Sequence, residues 1–384
     1  MGGRTLEMQG KNATDNLNQI KKQKLREASQ EVKTKRVALG VLQNRCLTRD
    51  IAAKDAAQKD IKDLKAKSRV DTHVKKEPLG TTANGSLSKK FEGFQDIDAN
   101  DKRNLFLVSE YVNEIYDYLY QVEKQQPIFK DHLAGQRSVS PKMRAVLIDW
   151  INAVNLQFHL TADSFQLAVA IIDRYLQVVK DTKRNYFQLV GVTALFIATK
   201  YERLCPVGIE TFVYVSDDTY TARQIRQMEL QILKAIDFSL SRPLPIHFLR
   251  RYSKAAGATN EQHVMAKYFI ELAALTYDLA SYRPSEIAAA SMFLSLNLLN
   301  GNHREATGFN DQHWSATLSF YSRYSASDLR PISRKIAKLA RNAPQAKLKA
   351  VYIKYQGSNF HKIAQRRELS SPLIDYIIGQ NFRK

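Results

Sequence analysis

The sequence is poor in the residues that build covalent or metal frameworks. It has two cysteines in 384 residues, Cys46 and Cys205. They lie far apart, so no disulfide framework is expected and no cysteine cluster is available to hold zinc. No run of 18 apolar residues exists, whereas a membrane-spanning helix needs about 20. The first residues lack the hydrophobic centre of a secretion signal. A soluble intracellular chain in a reducing compartment, in cytoplasm and nucleus, is the expectation. Also missing are a glycine-rich phosphate loop, HExxH, GxSxG and any metal-spaced set of Cys and His. His303 and His313 fall in a polar stretch and read as surface histidines. With no catalytic constellation, metal or cofactor site to name, the chain is expected not to be an enzyme. Its function should reside in surfaces.

Aromatic residues are absent from one end. None of the 17 Phe, 18 Tyr and 2 Trp precedes Phe91. Residues 1–90 instead carry 21 Lys and Arg against 10 Asp and Glu, a net of +11 out of +20 for the whole chain. Charge without aromatics cannot bury enough apolar surface to offset the entropy of folding. Residues 1–95 are therefore read as a disordered basic regulatory tail, with at most a transient helix over 51–67 and a Gly/Ser/Thr linker over 80–90. Such charge permits nucleic-acid binding. A basic tail used for targeting, beside a folded part suited to acidic partners, is the plainer reading.

The rest reads as helix. Tyr111, Ile115, Tyr118, Leu119 and Val122 share one face of a helix ended by Pro127. Ser140-Pro141 is a helix start, an N-cap followed by proline at the first turn. A third helix follows Thr161, with Phe165, Val169, Ile172 and Leu176 aligned. Residues 187–202 are apolar nearly all round and should form the buried centre of a domain. A short helix near Phe212 and one over 221–236 complete five. After the break at Ser241-Arg242-Pro243-Leu244-Pro245 the pattern repeats. Val264, Tyr268, Leu272, Leu275 and Leu279 share a face. Residues 284–300 are again almost wholly apolar and end at Gly301, a usual C-cap residue. Small residues recur in both central helices, Gly191, Ala194 and Ala198 in one and Ala288, Ala289 and Ala290 in the other, allowing close helix approach. The spacing predicts two similar all-α domains in tandem, with no convincing strand alternation.

Four segments carry a family resemblance: MRAVLIDWINAV (143–154), IIDRYL (171–176), QLVGVTALFIATKYE (188–202) and IRQMELQIL (225–233). In order and spacing they resemble the cyclin box, and RPLPIHFLRR (242–251) resembles the B-type cyclins. The likeness covers about three quarters of the chain. It implies an all-α fold of two tandem five-helix cyclin-box repeats behind a disordered basic N-terminal tail. The first repeat with its leading helix is expected over 96–238, the second over 239–350, and a C-terminal extension over 351–384.

The resemblance also implies roles. Lys200 and Glu229, with Tyr201 and Glu202 beside them, match residues through which cyclins grip a cyclin-dependent kinase of mitotic type near its regulatory helix. Without the family match, Lys200 and Glu229 are ordinary helix-surface charges. Arg144 and Asp173 match a structural pair that ties two helices of the first repeat. Met143, Val146, Leu147 and Trp150, with Phe187 and Gln188, match a docking patch for substrate and inhibitor motifs containing Arg and Leu. A stripe of that kind is more often core. Three departures stand out: Ala153 replaces a carboxylate, Arg203 replaces an acid, and Cys205-Pro206-Val207 replaces an apolar residue followed by two prolines. In the tail, Arg36, Leu39, Leu42 and Asn44 fit the nine-residue destruction box R-x-x-L-x-x-[LI]-x-N. That box implies recognition by the anaphase-promoting ubiquitin ligase, with Lys54, Lys59, Lys62, Lys65 and Lys67 as ubiquitin acceptors. No K-E-N box accompanies it. The competing reading, a cyclin-fold transcription factor on DNA, is favoured by the basic charge. It is opposed by the missing zinc ribbon and by Lys200, Glu229 and the destruction box, and no direct nucleic-acid or membrane partner is expected.

Overall fold

The structure is a computed structural model that describes residues 94–101 and 103–379. The expected tail and its destruction box, Arg36 to Asn44, lie outside the described residues. Among the described residues every regular element is a helix and there is no strand. The helices are α1 (Val112–Gln125), α2 (Pro141–Gln157), α3 (Ala162–Val178), α4 (Arg184–Glu202), α5 (Ile209–Val215), α6 (Ala222–Ala235), α7 (Pro245–Ala255), α8 (Asn260–Leu275), α9 (Pro284–Asn300), α10 (Ala316–Ser322), α11 (Ala326–Asn342), α12 (Ala350–Lys354) and α13 (Pro372–Ile378). Helices α2–α6 and α7–α11 form the two five-helix repeats.

The helix starts follow from local chemistry. The Ser140 hydroxyl accepts from the Met143 amide at 3.3 Å, with Pro141 in the first turn. Thr161 does the same for Ser164 at 3.1 Å. Thr221 and Gln224 cap reciprocally, as do Thr259 and Gln262 in the second repeat. Each bond satisfies an amide that the helix itself leaves unpaired.

Both repeats are organised round one buried helix. Helix α4 packs against α2, α3, α5 and α6, and α9 against α7, α8 and α11. Met292, Phe293 and Leu294 of α9 are fully buried, each contributing about 1.5–3 kcal/mol by leaving water. The small residues act as expected. A Cβ on Gly191 would lie 2.6 Å from Leu147 Cδ1, so α2 rests directly on the α4 backbone. Gly301 caps α9 in an extended conformation rather than the left-handed one. There a Cβ would meet the Asn297 carbonyl oxygen at 2.3 Å.

Two local expectations are corrected. Leu279 falls in a separate 3-10 turn, Tyr277–Leu279, beyond the end of α8. The buried face of α1 is the second. Tyr111, Ile115 and Tyr118 are exposed, while Tyr120, Val122 and Glu123 are buried. The reason is tertiary, because α1 precedes the first repeat in the chain but packs on the second. Tyr116 donates to the His247 carbonyl at 2.9 Å, Tyr120 and Tyr252 share a 2.7 Å hydrogen bond, and Glu123 accepts from the Ser285 hydroxyl at 2.6 Å. The segment before α1 follows the same side: Phe94 stacks on Phe320 with centroids 4.0 Å apart, and Asp98 accepts two bonds from Arg251 at 2.7 and 2.6 Å.

Candidate functional site

Because α4 is buried along most of its length, mainly its two ends present side chains. Lys200 emerges at the C-terminal end, in the last turn, where a cation also complements the helix dipole. Its ammonium pairs with the Glu229 carboxylate of α6 and lies 4.5 Å from the Phe196 ring centroid. The Lys200 side chain is 41 % exposed and that of Glu229 14 %. Tyr201 is exposed, and Leu204, just beyond the helix, is 94 % exposed. Leu230, next to Glu229, is exposed as well. A charge pair is thus bordered by large apolar side chains that stay exposed among the described residues, a composition suited to a protein partner.

Glu202 belongs to a different neighbourhood. It is half-buried, and burial together with the Asp163 charge raises its pKa against the opposing charges of His247 and Arg250. Asp163 pairs with Arg250 at 2.9 Å and lies 3.6 Å from His247. Burial alone would raise Asp163, but those two partners hold its carboxyl far below the usual range. Glu202 therefore faces a seam between the repeats. Arg203 is half-buried at the α4 C-cap.

The six residues expected to form a docking patch divide. Val146 is exposed, Met143, Trp150 and Gln188 are half-buried, and Leu147 and Phe187 are buried. The helical spacing keeps Val146, Trp150 and Ala153 on one side of α2, whereas Leu147 turns inward onto Gly191. The result is an apolar floor with one open edge. Ala153 is exposed on that edge.

The structural pair is the most enclosed charge feature of the first repeat. Arg144 grips Asp173 through two bonds, Nε to Oδ1 at 2.6 Å and Nη2 to Oδ2 at 2.7 Å. Burial raises the Asp173 carboxyl, but the charge and bonds of Arg144 and the nearby His132 outweigh it and bring the pKa to about 2. The resemblance implied a tie within the first repeat, and the geometry reaches further. Arg144 Nη1 donates to the Ala274 carbonyl of α8 at 3.0 Å, which joins the repeats.

A second buried junction escaped the sequence reading. Glu271 of α8 accepts from Lys354 Nζ at 2.8 Å, Tyr355 Oη at 2.9 Å and Asn152 Nδ2 of α2 at 2.8 Å. It binds the C-terminal segment to both repeats at once. No motif announces Lys354. The only sequence signal is a Lys among apolar neighbours in α12. Among the described residues no group of His, Cys, Asp and Glu is placed to hold a metal ion, and no helix is long and apolar enough to cross a membrane.

The fold is two five-helix repeats, with a bordered charge pair at the end of one central helix. Residues 114–241 match the family "Cyclin, N-terminal domain" and residues 243–369 match "Cyclin, C-terminal domain". A G2/mitotic-specific cyclin-B of Drosophila melanogaster is 53 % identical across the full length of both chains. One from Spisula solidissima is 45 % identical over 75 % of this chain and 65 % of its own. The structure of a viral cyclin from herpesvirus saimiri shares the fold, with a TM-score of 0.50 and 22 % identity over 58 % of this chain and 96 % of that one. The chain belongs to the cyclin family and, within it, to the mitotic B-type cyclins.

Proposed function

We propose that this chain is the non-catalytic subunit that binds and activates a mitotic cyclin-dependent kinase at the transition from G2 to M. The observation that carries the reading is the Lys200–Glu229 pair, set at the exposed end of a rigid buried helix and bordered by Tyr201, Leu204 and Leu230. A kinase needs its regulatory helix held inward so that a Lys–Glu pair can form around ATP. A rigid surface that fits only the inward arrangement shifts the population towards it without adding chemistry. The exposed stripe of Tyr111, at the N-cap of α1, and Ile115 and Tyr118 within it offers a further apolar face.

Two finer roles belong to the same proposal. The open edge around Val146 and Trp150 takes the apolar residue of substrate and inhibitor motifs, and Ala153 leaves the motif arginine without a carboxylate. Binding of Arg-x-Leu peptides is then weak, and Ala153→Glu tightens it in a titration. Arg36, Leu39, Leu42 and Asn44 direct ubiquitin-dependent destruction at mitotic exit by the anaphase-promoting ligase, from a protein shared between cytoplasm and nucleus.

Co-purification with a cell-cycle kinase, followed by histone phosphorylation, tests the main claim. The chain alone transfers no phosphate, and the complex does so orders of magnitude faster than the free kinase. Purified chain that neither binds nor stimulates any cell-cycle kinase overturns it. For the tail, cells carrying Arg36→Ala with Leu39→Ala should retain the protein through anaphase with active kinase. Disappearance on the normal schedule removes the destruction-box assignment.

A further inference from the structure

Arg242 occupies an unusual position for an arginine. It opens the segment between the repeats, yet it is only 7 % exposed. No described residue forms an ion pair with its guanidinium, and its Nη1 is enclosed without a hydrogen-bond partner. Almost every buried arginine in a folded protein is matched by an acceptor, because an uncompensated buried charge is costly.

The surroundings sharpen the contrast. Arg242 lines a cavity of about 90 Å³ between the repeats, with Val169 and Ala170 of α3 on one side and Ile270, Ala273 and Ala274 of α8 on the other. Arg144 and Asp173 also line it; Asp173 is bonded to Arg144, and its charge also reaches Arg242 without an ion pair. Arg174 lies nearby and donates to the carbonyls of Ser239 and Ile236. Glu123, whose charge Arg242 feels, is engaged by Ser285. Burial first, and then Arg174, bring the Arg242 pKa down to about 10, which leaves it charged at neutral pH. The cavity therefore holds one surplus cation in largely aliphatic walls. Half-buried Ala280 and Tyr282 form part of its lining, so it reaches the surface between the repeats.

We propose that the cleft beside Arg242 is a binding site for a single carboxylate on a short aliphatic stem. The planar guanidinium supplies paired donors that match a carboxylate. The aliphatic walls suit two or three carbons behind it. The small cleft, about 90 Å³, suits a short acid. The same chemistry can come from a free short-chain acid or from a glutamate side chain of a partner, both of which enter past Tyr282.

Isothermal titration of the full chain with propionate, at fixed ionic strength, tests the site. A blocked glutamate (N-acetyl-glutamate methylamide) and the neutral isostere propionamide are titrated in parallel. Saturable binding of propionate or the blocked glutamate, with none of propionamide, is expected. Tighter binding of the blocked glutamate assigns the cleft to an acidic side chain, and tighter binding of propionate to a free acid. Arg242→Met keeps the length and removes the charge, and should weaken binding by about tenfold or more. Ala170→Met fills the cavity while leaving the guanidinium, and should abolish binding. It also serves if Arg242→Met does not fold. No saturable binding by the wild-type chain, equal binding of propionamide, or unchanged binding in the variants overturns the proposal.

Discussion

Two charge pairs in this molecule look alike in the sequence and differ in everything else. Arg144–Asp173 and Lys200–Glu229 each join neighbouring helices of the first repeat. The first is enclosed, with side chains 1 % and 5 % exposed, and ends on a carbonyl of the second repeat. The second lies near the surface, with Lys200 open and Glu229 half-buried, beside apolar side chains that stay exposed among the described residues. Burial makes the first pair costly to break, because an unpaired buried charge would be left behind. Greater exposure makes the second matter less to folding. The same chemistry counts differently according to how much water reaches it.

The contrast can be broken most forcefully at the buried pair. Arg144→Met leaves Asp173 charged and without its main partner, and also removes the link to Ala274. A loss of about 3–5 kcal/mol is expected, read by urea unfolding of the full chain. A loss below about 1 kcal/mol means that the pair is not the tie described here. The Glu271 junction should rank next. Lys354→Met removes the countercharge but leaves the Tyr355 and Asn152 donors in place, so a loss of about 1–3 kcal/mol is expected. Equal losses for the two variants contradict the ranking.

Acid offers a subtler probe of the same difference. The Asp173 carboxyl is depressed from 3.8 to about 2 in the folded chain. A depressed carboxylate contributes stability above its ordinary pKa and loses it as pH falls through the folded value. The stability gap between wild type and Asp173→Asn should be widest near neutrality and should close between about pH 4 and pH 2. A gap constant across that window shows that Asp173 acts through packing rather than charge. The smallest effect on folding belongs to the exposed pair. Lys200→Met should change unfolding free energy by about 1 kcal/mol or less while weakening kinase association about tenfold or more in a pull-down titration. Normal association by this variant separates the pair from the contact surface.

Much of the architecture was legible because it is local. Ser140, Thr161 and Thr221 announce their helices through bonds to residues three places on. The apolar runs that became α4 and α9 can be hidden from water only at the centre of a repeat. The α1 face was misread because aromatic residues surround that helix. Tyr111, Ile115 and Tyr118 satisfy the helical period as well as Tyr116 and Tyr120 do, and only the neighbour supplied by the second repeat chooses between them. The docking patch divided for a similar reason. Val146 and Leu147 are adjacent and equally apolar, but Gly191 opens a gap in α4 that admits Leu147.

By itself, then, the sequence determined the helical class, the tandem repeat, most helix ends and the residues that resemble a cyclin surface. Those properties depend on periodicity, caps and short-range bonds that a few neighbouring residues settle among themselves. Tertiary structure alone decided how the repeats are joined. Arg144 finds the Ala274 carbonyl, Glu271 finds Lys354, and Arg242 finds no ion-pair partner among the described residues. These groups lie tens to more than a hundred positions apart, at separations where no local pattern links one side chain to another. Only the packing of one repeat on the other fixes which charges meet, which are left alone, and how much water remains around them.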